Sequence, residues 1–131
     1  MGQIKLRIDW SHMDMFGHVN NISFFSYIQS ARAQFWRTSG IESLYKEQKT
    51  APMLVNAGLD FKHPLYYPGN ATVYFLLDFI GTSSFGLKYE IHDDQSNLCA
   101  VGKDAMVLWD FDNMKKVPIA PRLREKMNLL Q

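Results

Sequence analysis

The chain has a single cysteine, Cys99. An internal disulfide is therefore excluded, which suits a reducing compartment. No apolar run reaches the length of a bilayer span; the longest, Val73 to Ile80, is broken by Asp78. Met1 leads straight into Gln3, Lys5 and Arg7, without the apolar stretch of a signal peptide. A charge surplus is also missing, with Lys and Arg at 14 against Asp and Glu at 13. A general nucleic-acid binder would carry a basic excess or stripe. There is no repeat, no low-complexity segment and no block of like charge. The expectation is one cytoplasmic domain over residues 1–131, with neither nucleic acid nor membrane as partner. Acids are absent from one segment in particular: residues 20–39 hold no Asp or Glu.

What is present is a change of hydrophobic period. Ile4, Leu6 and Ile8 alternate with Lys5, Arg7 and Asp9, as in a half-buried strand. From Asn20 to Ser39 the spacing becomes helical, with Phe24, Ile28, Ala31 and Phe35 on one face and Gly40 as a C-cap. A polar stretch covers Lys46 to Thr50, and strands follow at Met53–His63, Ala71–Ile80, Phe85–His92 and Leu98–Asp110. Turns separate them at Tyr67–Asn70, Asp93–Asn97 and Asp112–Asn113. Lys115–Ile119 reads as short and extended, and Arg122–Leu130 as a closing helix. A strand, a long helix and a succession of hairpins make an α+β fold, with the helix packed on an antiparallel sheet. One helix covers only one face of such a sheet, so self-association is expected to hide the rest.

The chemistry is concentrated between Trp10 and Asn21. Asp14, Gly17, His18, Asn20 and Asn21 crowd ahead of the helical run. A helix start leaves backbone N–H groups without intrahelical partners, and these can stabilise a developing oxyanion. Asp14 beside them can act as general base or nucleophile, or simply as a turn or capping residue. Asn20 and Asn21 are good N-caps, and a capped start still presents the remaining amides. With no acid in its first turn, the helix keeps those amides free of a competing carboxylate.

Asp14-Met15-Phe16-Gly17-His18-Val19-Asn20-Asn21, followed by Tyr27-Ile28-Gln29-Ser30-Ala31-Arg32, resembles the hotdog-fold acyl-CoA thioesterases of the 4-hydroxybenzoyl-CoA thioesterase type. Weaker agreement continues through Asp60–Leu65, Gly69, Gly81–Ser84, Ala100–Asp110 and Pro121–Arg124. The resemblance implies a long central helix wrapped by a curved antiparallel sheet, in subunits that join edge to edge as homodimers or homotetramers with sites at the interface. It puts Asp14 at the catalytic position and the Asn21 backbone amide at the oxyanion position. The implied substrate is an acyl-CoA or an acyl carrier protein thioester, and no cofactor is implied. The chain departs from the family pattern at His12, where an acid is common, and at Gln29, where the helix acid stands. Phe16 replaces the Asn found in plant acyl-carrier-protein thioesterases.

Other residues carry weaker expectations. His18 can orient Asp14, contact substrate or support the helix start. Gly17 permits a tight or left-handed turn, or leaves room for the thioester. Phe16, Phe24 and Phe25 line an acyl pocket or belong to the core. Ser83 and Ser84 sit by resemblance near a pantetheine arm, or form a hairpin turn. Lys62, His63, Lys115, Lys116, Arg122 and Arg124 can meet coenzyme A phosphates or stand as solvated surface. His12, Asp14 and His18 match no strong metal spacing, so no metal is expected. Cys99 lies in a strand with no His nearby in sequence and reads as packing. Two other functions compete with hydrolysis. A hydratase is disfavoured because Phe16 and the close His18 break the Asp-x-Asn-Pro-x-His pattern. A non-catalytic acyl-thioester binder is motivated by His12, Phe16 and Gln29.

Overall fold

The computed structural model describes residues 1–131. The chain begins with strand β1 (Gly2–Arg7) and a single 3-10 turn at Trp10–His12. Helices α1 (Asn21–Ser39) and α2 (Ile41–Gln48) follow, then strands β2 (Thr50–Phe61), β3 (Asn70–Ile80), β4 (Ser84–His92) and β5 (Leu98–Asp110). The two-residue β6 (Lys115–Lys116) and α3 (Pro121–Asn128) close the chain. All strand pairings are antiparallel, in one six-stranded sheet of order β1-β3-β4-β5-β2 with β6 on β5. A long helix on one face of that sheet is the α+β hotdog architecture.

Helix α1 starts where Asn20, in extended backbone, accepts from the Ser23 amide at 2.8 Å. It stops at Gly40, whose φ of +84° places it in the left-handed region that suits glycine. The apolar stripe read from the sequence is the buried one: Phe24, Ile28, Ala31 and Phe35, joined by Tyr27. It faces Val73, Phe75 and Leu77 of β3 and Phe85, Leu87 and Ile91 of β4 in one continuous core. The alternation of buried and half-buried residues along β3 is the period of a strand covered on one face.

One charged group enters this core. Arg32 of α1 donates from Nε to Asp104 Oδ2 of β5 at 2.8 Å, and both side chains are almost fully buried. The Tyr89 hydroxyl donates to the same Asp104 oxygen, and the Leu87 amide donates to the other at 3.0 Å. The acid is thereby fully hydrogen-bonded, as a buried charge has to be. Burial, followed by the Asp104 charge, pushes the Tyr89 hydroxyl far above the ordinary tyrosine range.

The structure differs from the sequence reading in three places. Most of the polar stretch Lys46–Thr50 belongs to α2, which runs to Gln48, because Gly40 ends α1 and the chain re-enters a helix at Ile41 instead of a loop. Ile41 is buried, Leu44 packs one turn later, and the remaining face is solvated. Strand β2 begins at Thr50, ahead of Met53, and includes Pro52. A strand at the sheet edge tolerates a residue with no N–H to donate. It ends at Phe61, and only Lys115 and Lys116 of the expected Lys115–Ile119 segment pair as a strand.

Candidate functional site

Strand β1 delivers Asp9 to the 3-10 turn. The Asp9 carboxylate accepts from the Ser11 amide at 3.0 Å and from the Ser11 hydroxyl. Those bonds hold its carboxyl below the usual range, with Arg7 adding its charge. The Asp9 amide in turn donates to His12 Nδ1 at 3.2 Å, closing a capping box. His12 Nδ1 also lies 2.9 Å from the Tyr27 hydroxyl on α1. Because Nδ1 already accepts from the backbone, the Tyr27 hydroxyl is the donor. Burial, with the Asp9 charge, pushes that hydroxyl up to about 12, so it stays protonated. His12 thus ties the incoming loop to the central helix. That is the job this chain gives to the position where an acid was expected.

From there the chain makes a small hairpin. Met13 and Val19 form an isolated antiparallel bridge, and the Asn20 amide donates to the His12 carbonyl at 2.9 Å. The Asp14 amide donates to the His18 carbonyl at 2.7 Å. Asp14 Oδ1 accepts from the Phe16 amide at 2.8 Å and from the His18 amide at 3.2 Å. The turn reading of Asp14 is therefore seen directly, and it leaves Oδ2 without a protein donor. Gly17 closes the hairpin at φ +83°, and a Cβ there would meet nothing within 4 Å. Its backbone angle, not crowding within the chain, is what calls for glycine.

Asp14, His18, Asn21 and Phe24 share one cleft of about 400 Å³. Asn21 is the first residue of α1, and its N–H takes part in no hydrogen bond within the chain. Two residues lining this cleft thus carry a free carboxylate oxygen and an unused helix-start amide. The His18 ring does not hold the Asp14 side chain; it stands edge-on to Tyr66 at 5.3 Å, and its backbone does the orienting. Phe24 packs edge-on against Phe61 at 5.0 Å across the cleft wall. Phe16 is 76% exposed and Phe25 points outward, so only Phe24 of the expected trio borders this space.

The other wall is Phe61, the last residue of β2, with Lys62, His63 and Pro64 directly after it. The sequence reading marked Lys62 and His63 only as possible phosphate contacts and did not mark Phe61 or Pro64. They arrive because the Val19 amide donates to the Leu65 carbonyl at 2.9 Å, a pairing that no periodicity announces. Ser83 and Ser84 are not in the cleft. They form the β3–β4 turn, where the Gly81 amide donates to the Ser84 carbonyl at 2.7 Å. Within one chain that turn is about 30 Å of strand away from the Asn70 end of β3. Arg124 is nearby, with Nη2 on the Gly81 carbonyl at 2.9 Å. Gln29 accepts from Arg32 Nη1 at 2.7 Å and so supports the buried ion pair. Cys99 is fully buried, and burial together with the Asp93 charge pushes its thiol up to about 11, which does not suit a nucleophile.

A larger concavity of about 530 Å³ lies on the sheet face away from α1, over Leu59, Tyr74 and Val101. It has no helix start and no unpaired carboxylate beside one, so the smaller cleft is the better candidate.

Residues 8–127 match the family model described as the thioesterase-like superfamily. The chain belongs to the thioesterase-like superfamily. Among curated relatives of this superfamily member, protein YsmA of Bacillus subtilis is 24% identical over 103 residues, or 79% of this chain and 69% of that one. The solved structure of a predicted thioesterase from Bacillus stearothermophilus superposes with a TM-score of 0.88 at 23% identity, covering 98% of this chain and 94% of that one. The DHNA-CoA thioesterase of Staphylococcus aureus gives 0.87 at 16% identity, over 98% and 89%. Such distant likeness establishes a shared fold. For this thioesterase-like chain, reaction and substrate have to be argued from the cleft.

Proposed function

We propose that the protein hydrolyses acyl-CoA thioesters to a carboxylic acid and coenzyme A, with Asp14 as general base or nucleophile. The observation that carries this reading is the pairing of Asp14, whose Oδ2 is free, with the unused Asn21 N–H across one cleft. A thioester carbonyl between them has its oxygen at the Asn21 amide, where charge develops as the carbon becomes tetrahedral. Asp14 then either takes a proton from the attacking water or attacks the carbon itself, forming an anhydride that water opens. In both routes the C–S bond breaks and coenzyme A leaves as the thiolate, then takes up a proton. His18 and Gly17 support the Asp14 turn. Phe24 and Phe61 offer apolar contact to the acyl group, and Lys62 offers charge to the phosphates.

Ser83 and Ser84 reach a site of this kind only if a second subunit brings them. The edge strand β2 supplies a reason for one: Met53, Leu54, Val55 and Phe61 are exposed along an unpaired edge. Such an edge favours pairing with another strand, and a homodimer joined there, or a homotetramer of two such dimers, is part of this proposal. So are action as one domain and a cytoplasmic location, which the balanced charge and unpaired Cys99 support. No helix is long and apolar enough to cross a membrane. The test is release of free thiol from a panel of acyl-CoAs, with Asp14→Asn as control. Turnover by the wild type alone supports the reading, and equal rates for both proteins refute it.

A further inference from the structure

A second group of chemically active side chains lies beside the cleft. His63 follows the end of β2, Asp93 sits in the β4–β5 turn, and Cys99 lies near the start of β5. Their nitrogen, oxygen and sulfur atoms are all within 4.8 Å of one another. His63 Nδ1 is 4.0 Å from Cys99 Sγ and 4.0 Å from Asp93 Oδ2.

Backbone bonds hold the three segments in place. The Lys62 and His63 amides both donate to the Cys99 carbonyl, at 2.8 and 3.2 Å. Asp93 Oδ1 accepts from the Gln95 and Asn97 amides at 3.0 and 2.8 Å, and Oδ2 from the Asn97 side chain at 2.9 Å. Two carbonyl oxygens also face the sulfur, Asn97 at 3.5 Å and Pro64 at 3.9 Å. His63 Nδ1 rests on the Pro64 carbonyl at 2.8 Å. A thiol, an imidazole, a carboxylate and two carbonyls therefore converge on one spot.

As partners for one another these groups fit poorly. A separation of 4.0 Å is too long for a His–carboxylate hydrogen bond and marginal for one to sulfur. As ligands they fit closely. In a tetrahedral zinc site the Zn–S and Zn–N bond lengths place sulfur and nitrogen about 3.6 Å apart. Closing the 4.0 Å gaps to His63 takes a shift of about half an ångström, and the widest separation in the group, up to 4.8 Å, takes about an ångström. The His63 side chain is 42% exposed, so its own part of that shift needs only a rotation off the Pro64 carbonyl. A mixed S, N and O set selects a zinc-like ion over magnesium or calcium, which prefer oxygen alone.

We propose that His63, Asp93 and Cys99 form a binding site for a thiophilic divalent transition metal of the zinc type. On binding, the thiol proton leaves to solvent as the sulfur–metal bond forms. Asp14 is not among the ion's ligands, so the proposed base and the ion are held by different side chains. Its effect on the cleft runs through His63 and Pro64, which border both places. The site stands whether or not the hydrolytic reading does.

Cys99 is the only cysteine, so any cobalt–thiolate signal from the protein has to come from it. The experiment is titration of the folded full chain with cobalt(II) chloride, read by absorption, and then displacement with zinc chloride. The expected result is a thiolate-to-cobalt charge-transfer band that saturates at about one ion per chain. It disappears in Cys99→Ser, and His63→Ala weakens binding by about tenfold or more. His63→Ala is an exposed truncation, so it keeps the test meaningful if Cys99→Ser folds poorly. Absence of the band in the wild type overturns the proposal, and so does unchanged affinity in His63→Ala.

Discussion

Asp14 and His18 clasp each other through the backbone: the Asp14 amide donates to the His18 carbonyl at 2.7 Å, and Asp14 Oδ1 accepts from the His18 amide at 3.2 Å. The clasp fixes one carboxylate oxygen and leaves the other without a protein donor, on a residue that lines the cleft. It also means that the turn role and the proposed chemical role of Asp14 do not compete. One oxygen serves each.

Gly17 sets the hairpin that makes this clasp, so Gly17→Ala is expected to cost about 1–2 kcal/mol from left-handed backbone strain alone. No steric cost adds to it, because the new methyl meets nothing. Gly17→Asn is expected to be milder, since Asn tolerates that region better. Chemical denaturation of the two variants checks the order, and thiol-release rates are expected to follow it as Asp14 loses its alignment.

Asp9 anchors the 3-10 turn that leads into the site, and its folded-state carboxyl lies below the unfolded value. The folded protein therefore binds fewer protons near that value, and Asp9 contributes stability above it that is lost as the pH falls. Thermal unfolding between about pH 5 and pH 3 is expected to show a falling midpoint, with a shallower fall in Asp9→Asn. An identical pH profile for the two proteins contradicts the assignment.

Arg32 and Asp104, separated by 72 positions, meet in the core and join α1 to β5. Asp104→Ala leaves a buried guanidinium without its counter-charge and is expected to cost about 3–5 kcal/mol. Gln29→Ala removes only the outer hydrogen bond to Arg32 and is expected to cost about 1 kcal/mol. Urea unfolding separates the two. A Gln29 variant as damaged as the Asp104 variant would overturn the view of Gln29 as a secondary support.

These features differ in how legible they were. The buried stripe of α1, the Asn20 cap and the Gly40 stop follow from local spacing and backbone preference, which a sequence carries openly. Helix α2 did not, because Gly40 signals an end and gives no sign that the chain turns straight into another helix. The extension of β2 ahead of Met53, through Pro52, was not readable either, because only the sheet order makes this strand an edge that tolerates proline. The proximity of Asp14 to Asn21 was readable because they are neighbours in the chain. The Phe61–Pro64 wall and the His63–Cys99 approach were not, because they depend on the pairing of β2 with β5. Hydrophobic period tells which face is buried and says nothing of register. The role of His12 was hidden for a related reason: its acceptor nitrogen serves Asp9 and Tyr27 together, and Tyr27 lies 15 positions away.

The exposed edge of β2 gives a prediction about assembly. Val55→Lys places a charge on that edge, where Val55 is 58% exposed in the single chain. Sedimentation velocity is expected to show a dimer or tetramer for the wild type and a shift toward monomer for the variant. A wild-type monomer contradicts the proposed assembly.

The most direct test of the account compares the wild type with Asp14→Asn on an acyl-CoA panel by free-thiol release. Asn keeps an oxygen to accept from the Phe16 and His18 amides, so the variant is expected to fold with an unchanged circular dichroism spectrum. It cannot act as base or nucleophile, and kcat on the best substrate is expected to fall by about a hundredfold to ten-thousandfold. A folded Asp14→Asn protein that hydrolyses that substrate at the wild-type rate would contradict the central claim.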